Sequence, residues 1–296
     1  MNVYIKITLI NILFILLSLN NFLHAGENCK LESISIPKQI KIDFTPESIS
    51  NINQNKNNYE IVYYLGYEYQ IDYNSNLNCQ ISSEKISNWV FNPRLEIMKS
   101  NKQTMLSEYN IYVNKNKIYV EWKAASKIEN NFDFTFYPFD EQKFKFQIMG
   151  FNPSNKVKII GNFFDENSFK NFEVEGWKVV TKNFQQVQEE WEDETYDKLI
   201  YVIQMEREYI SFVFRYIIPM GIITLFAFIS ILLPKKELES KITIQASALI
   251  SIIAFNLVLD SAIPQLSYLT LMDIFTTLSL FLVFSITFLT IILSKK

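Results

Sequence analysis

The chain has 296 residues, a formal net charge of −3, two cysteines and one histidine. That length accommodates one soluble domain plus a few membrane spans, and the lack of a basic field excludes nucleic acid as a partner. The histidine, His24, lies in the N-terminal leader, so histidine-dependent catalytic triads and ordinary histidine metal sites are excluded from the mature protein.

In the leader, Lys6 precedes an apolar run over residues 7–19, and Leu23-His24-Ala25 offers a cleavage site before Gly26. Residues 1–25 therefore read as a signal peptide; an uncleaved anchor is the alternative, for which the run is short. Export would put Cys29 and Cys79 in an oxidising compartment where they can bridge, with two unpaired thiols as the other option. A bridged loop of that length is worth roughly 4 kcal/mol in chain entropy.

Residues 30–205 carry a β pattern throughout. Tyr59-Glu60-Ile61-Val62-Tyr63-Tyr64 and Ile118-Tyr119-Val120-Glu121-Trp122 are rich in β-branched and aromatic residues, and Asn, Ser, Pro and Gly clusters separate such runs. Lys143-Phe144-Lys145-Phe146-Gln147-Ile148 alternates as a half-buried strand does. About ten short strands fit, which predicts a sandwich over 26–206, and the Asn-rich stretch 51–58 reads as a loop or hairpin tip. The expected fold class is a mainly β extracellular sandwich followed by an α-helical transmembrane domain.

That second domain, 207–296, contains three apolar segments at about 210–233, 242–259 and 271–293. Lys235, Lys236 and Lys241 flank the first link, and Lys295 and Lys296 follow the third span, whereas the second link has no basic residue. The positive-inside rule then puts the β domain outside and the C-terminus in the cytoplasm, in agreement with the leader. Arg215, four residues before Pro219, lies near the outer end of the first span, where it can snorkel to the headgroups.

The middle segment mixes polar and apolar residues in a definite order. Glu239, Thr243, Ser247, Ile250, Ala254, Leu257 and Ser261 recur at steps of four or three and share one helical stripe. Small and hydroxylated residues on membrane helices serve close packing, and Ser247 with Ser251 has that spacing. A stripe that starts with an acid and passes through hydroxyls to apolar residues also suits a water-filled path. No nucleophile–base pair, glycine-rich phosphate loop or metal spacing is present, so neither an enzyme nor a cofactor is expected.

Phe136-Tyr137-Pro138-Phe139-Asp140-Glu141-Gln142 resembles the signature turn of pentameric ligand-gated ion channels, the Cys-loop receptor superfamily. Asn130 and Phe144 stand where eukaryotic members have the two loop cysteines, so the chain is similar to the bacterial branch that lacks them. The likeness continues through Arg207, Pro219, Ile253-Ala254-Phe255-Asn256, Pro264, Tyr268, Thr270 and Asp273. Tyr69 replaces a family Trp, and the sequence ends after the third span, where the family has a fourth.

The resemblance implies a homopentamer in the bacterial inner membrane. It would pass monovalent cations through a pore lined by Glu239, Thr243, Ser247, Ile250, Ala254, Leu257, Asp260 and Ser261. Ile250, Ala254 and Leu257 would form the apolar constriction, while the Glu239 and Asp260 rings would favour cations. Lys241 is turned about 200° from Glu239, toward a neighbouring helix or the cytoplasm. Agonist sites in the family lie between β domains, which maps to Tyr64, Phe151, Trp191 and Tyr196, the last two in the hairpin 188–198 with its acids. The region after Trp89 lacks the aromatic that many amine receptors carry; the agonist is expected to be a small amine, with protons as the alternative. Pro138, Phe139, Asp140, Arg207, Pro264 and Tyr268 would form the gating interface between the domains and beside the lipid. The rival reading is a non-conducting, membrane-anchored binding or assembly protein derived from such a channel.

Overall fold

The computed structural model describes residues 36–53, 56–71, 78–86, 88–162, 172, 174–262 and 266–294. The leader and Cys29 lie outside the described residues, as does Pro264, and the side chains of Asp260 and Ser261 are not described. Cys79 is disulfide-bonded.

Two sheets make up the N-terminal part. The larger runs β3 (Asn78–Ser83), β6 (Tyr109–Asn114), β7 (Lys117–Glu129), β2 (Asn58–Gln70), β1 (Gln39–Asn53) and β9 (Lys158–Gly161), with β5 (Ser100–Met105) also paired to β7. The smaller runs β10 (Trp177–Trp191), β11 (Glu194–Arg207), β8 (Glu141–Gly150) and β4 (Leu95–Ile97). Pairing is antiparallel throughout, except that β1 and β9 run parallel. Strand alternation makes the core: β7 buries every second residue from Ile118 to Ile128, and β8 buries Phe144, Phe146 and Ile148.

Aromatic rings lock the sheets face to face. Phe44 of β1 stacks on Phe146 of β8 at 4.2 Å and lies 4.8 Å from Tyr201 of β11, while Tyr59 of β2 meets Phe144 edge-on at 5.1 Å. Tyr59, Tyr63 and Tyr67 are fully buried, yet each hydroxyl has a partner: Lys145 O, Ser126 Oγ and Phe91 O respectively. Burial pushes the Tyr63 phenol up to about 12 and those of Tyr59 and Tyr67 further.

The strands are longer than the sequence pattern suggests. β1, β2, β7, β10 and β11 have 15, 13, 13, 15 and 14 residues, so runs that read as separate short strands are continuous. β1 absorbs Pro46 through a register shift between Pro46 and Ser48 instead of ending there.

Three helices long and apolar enough to cross a membrane follow: α1 (Ile210–Leu232), α2 (Leu238–Ala262) and α3 (Leu271–Ser294). α1 widens into a π-helical turn at Val213–Ile217, just ahead of Pro219, whose ring nitrogen has no proton to give the preceding turn. α3 buries Met272, Thr276, Ser279, Val283, Ile286 and Thr290, a repeating step of four and three that faces its neighbours. Each helix packs on both others, yet only 11%, 22% and 28% of the three apolar windows are buried. Most of their surface is therefore left to lipid or to other chains.

Candidate functional site: the domain junction, the open face of α2 and the β10–β11 hairpin

The junction is built on the turn between β7 and β8. Its backbone closes through Tyr137 N to Phe134 O (3.0 Å) and Phe139 N to Phe136 O (2.7 Å), around a cis Tyr137–Pro138 peptide. Gln142 pins both arms: its Nε2 donates to Asp133 O at 2.6 Å and to Asp140 Oδ2 at 2.5 Å, and its Oε1 accepts from Asp133 N at 3.0 Å. Asp133 in turn accepts from the Thr135 hydroxyl and backbone N–H, which hold its carboxyl below the usual carboxylate range.

Arg207 is the last residue of β11, and the helical segment starts three residues later. Its Nε and Nη2 donate to Asp140 Oδ1 and Oδ2 at 2.6 and 2.9 Å, a bidentate pair with Asp140 only 3% exposed. The guanidinium lies over the rings of Trp177 and Tyr137, at 4.3 and 4.9 Å from their centroids. The same turn also grips the helices. Phe134 N donates to the Tyr268 hydroxyl at 3.0 Å, and Leu271 N donates to Thr135 O at 2.8 Å, where α3 begins. Tyr137 meets Phe212 of α1 at 5.2 Å, and Phe139 meets Tyr209 at 4.8 Å. One turn thus contacts the end of β11, the start of α1 and the start of α3.

α2 has two opposite faces. Lys241, Gln245, Ala248, Ile252 and Leu259 are buried against α1 and α3. Glu239, Thr243, Ser247, Ile250, Ala254 and Leu257 are exposed, Ile250 at 68% and Leu257 at 67%. At about 100° per residue the centres of these sets lie about 180° apart. The hydroxyls on the open face donate back along the helix, Thr243 to Glu239 O and Ser247 to Thr243 O, at 2.9 and 2.8 Å. Their protons are spent on the backbone, so what faces outward is oxygen lone pairs, which attract cations.

The hairpin joining β10 to β11 turns at Glu192 and Asp193, whose φ values of 50° and 65° make the tight two-residue connection that matches strand twist. Trp191 is 53% exposed with its ring 6.4 Å from that of Tyr196, and the Tyr196 hydroxyl donates to Glu194 at 3.1 Å. Phe151 is exposed just beyond β8, in a segment tied to this hairpin by Ser154 N to Thr195 O at 2.7 Å. Buried Asp197 anchors the base, accepting from Ile159 N and Gln188 Nε2 at 2.8 and 3.2 Å. Phe151, Trp191 and Tyr196 therefore gather at one end of the smaller sheet. Tyr64 is on the larger sheet, where Lys123 sits 5.2 Å over its ring and bonds to Glu47 at 2.8 Å. Within one chain these four aromatics do not form one site.

Sequence pattern alone missed three of these features. Lys123 lies directly opposite Tyr64 in the β2–β7 ladder, so only the register reveals it. Trp177 under Arg207 is another cross-strand pair. Gln245 falls four residues after Lys241, a spacing that marks a second polar stripe on α2. Compared with known proteins, the chain matches no protein-family model and no curated protein.

Proposed function

We propose that the chain is a subunit of a pentameric, ligand-gated, cation-selective channel. The observation that carries this reading is the open face of α2. An acid, two hydroxyls and then apolar residues stand uncovered on the side opposite the helix's packed face. A lipid-facing helix gains nothing from Glu239 and Thr243 there, whereas five copies around an axis make a hydrated path with an apolar constriction at Ile250, Ala254 and Leu257.

In this reading the β domains are extracellular, and a small cationic ligand rests between Phe151, Trp191 and Tyr196 of one subunit and Tyr64 of the next. Lys123 must yield or repel at the Tyr64 ring, which makes that residue a tuning point for cation affinity. Ligand closure of the hairpin pulls β11. Roughly 40 Å of strand carries that pull from Glu194 to Arg207, and the Asp140 pair and its turn pass it to α1 and α3.

The test is single-cysteine scanning of α2 in purified full-length protein reconstituted in bilayers, with current recording and native mass measurement. Five-fold mass, agonist-evoked currents and thiol reactivity at residues 239, 243, 247, 250 and 254 support the channel. A protein that assembles and binds ligand but passes no current, with the whole of α2 protected, replaces it with a membrane-anchored binding protein.

A further inference from the structure

Near its start α2 is held by a buried polar clamp that spans all three helices. Gln245, fully buried, uses both amide protons: Nε2 donates to Ser230 Oγ of α1 at 2.9 Å and to Thr290 Oγ1 of α3 at 3.0 Å. Each hydroxyl passes its own proton to its own helix, Ser230 to Ala227 O at 2.7 Å and Thr290 to Ile286 O at 2.9 Å. Every donor in this chain of bonds thus has an acceptor. One turn earlier, Lys241 Nζ donates to Ile231 O at 3.0 Å. That carbonyl belongs to the last turn of α1, where the helix dipole is negative and backbone acceptors are free.

The clamp carries a cost. Gln245 Oε1 is buried without a hydrogen-bond partner, a penalty that an apolar side chain at this position would not incur. Farther along, the buried side chains of α2 among the described residues are Ala248, Ile252 and Leu259, which are apolar and allow rotation more readily than directed hydrogen bonds do. The directed bonds therefore sit beside the two oppositely charged residues, Glu239 and Lys241, whose side chains leave the helix about 160° apart when measured the short way round.

We propose that this clamp fixes the rotation of α2 at its first turns and so decides which charge faces the pore. It turns Glu239 toward the axis and holds the Lys241 ammonium on the end of α1. Gln245 is a positioning residue for charge selection, with Ser230 and Thr290 as its anchors. The proposal rests on the channel reading above and adds to it what sets ion preference.

The test uses full-length protein in liposomes carrying Gln245→Leu, Thr290→Val or Thr290→Ser. Thr290→Val swaps the hydroxyl for a methyl group at constant shape, and Thr290→Ser restores the acceptor. Two readouts are taken: the cation-to-anion permeability ratio from reversal potentials in a KCl gradient, and the rate at which a charged thiol reagent modifies Ala248→Cys. Ala248 lies on the clamped face and is 5% exposed. Gln245→Leu and Thr290→Val are expected to lower the permeability ratio at least threefold and to speed modification about tenfold, while Thr290→Ser matches wild type. A merely structural contact would lower yield or thermal stability and leave the ratio alone.

Should Gln245→Leu fail to assemble, Thr290→Val and Ser230→Ala decide the question in its place. Wild-type ratio and wild-type protection in the variants overturn the proposal. Faster modification with an unchanged ratio overturns its selectivity half. If the wild type itself passes no current, the channel reading falls, and the thiol rates still decide whether the clamp sets the rotation of α2.

Discussion

Replacing Asp140 by Asn tests the junction most directly. The carboxylate is 3% exposed and bidentate to Arg207, whose side chain is 13% exposed, so the pair is largely desolvated. Removing one charge of such a pair costs about 3–5 kcal/mol, because the other stays buried without compensation. Two features reduce that here. Asn keeps one oxygen able to accept, and the guanidinium retains the faces of Trp177 and Tyr137. A loss of about 3 kcal/mol is expected, equivalent to a fall of roughly 6–12 °C in the melting midpoint of a domain this size. Tryptophan fluorescence is a suitable probe, since Trp177 lies 4.3 Å from the charge. Arg207→Gln and the double variant complete a cycle whose coupling energy should reach about 2 kcal/mol. A coupling below about 0.5 kcal/mol, with unchanged gating in the single variants, would show that the pair transmits nothing.

Three other outcomes can be stated. Phe151→Ala and Trp191→Ala should each weaken activation by a cationic agonist roughly tenfold, about 1.4 kcal/mol, with aromatic replacements milder; full opening on acidification alone, with both alanine variants unaffected, would point to protons as the agonist. Glu239→Gln should reduce cation preference in reversal-potential measurements more than Glu237→Gln does, and a chloride-selective wild type would refute the assignment. Alkaline titration reports the sandwich core. The Tyr63 phenol is raised to about 12 in the folded state, so the stability it contributes is complete below pH 10 and is lost as pH rises through about 12. Unfolding followed by tyrosinate absorbance should begin in that window, and ionisation of all tyrosines near pH 10 without unfolding would contradict the burial.

Much of the architecture was legible because it depends on local periodicity. Alternation in Lys143-Phe144-Lys145-Phe146 marks a strand buried on one face whatever it packs against, and three apolar runs of about twenty residues mark the helices. The stripe from Glu239 to Leu257 was readable for the same reason: 3.6 residues per turn places those side chains together. Strand lengths were harder to read. Pro46 and the serines of β1 look like breaks, and only the partner strand, through its register shift, lets β1 continue past them.

The amino-acid sequence by itself determined which side chains share a face of each strand or helix, because that follows from backbone geometry over a few residues. It left open which face each element would bury and what would lie opposite, because those depend on contacts between residues far apart in the chain. Only the tertiary structure brought Lys123 over Tyr64, Trp177 under Arg207 and Phe134 to Tyr268, partners separated by 59, 30 and 134 positions. Lys241 shows the distinction most clearly. Helical spacing required only that it diverge from Glu239, whereas its bond to Ile231 O exists because α1 ends with a free carbonyl at that height.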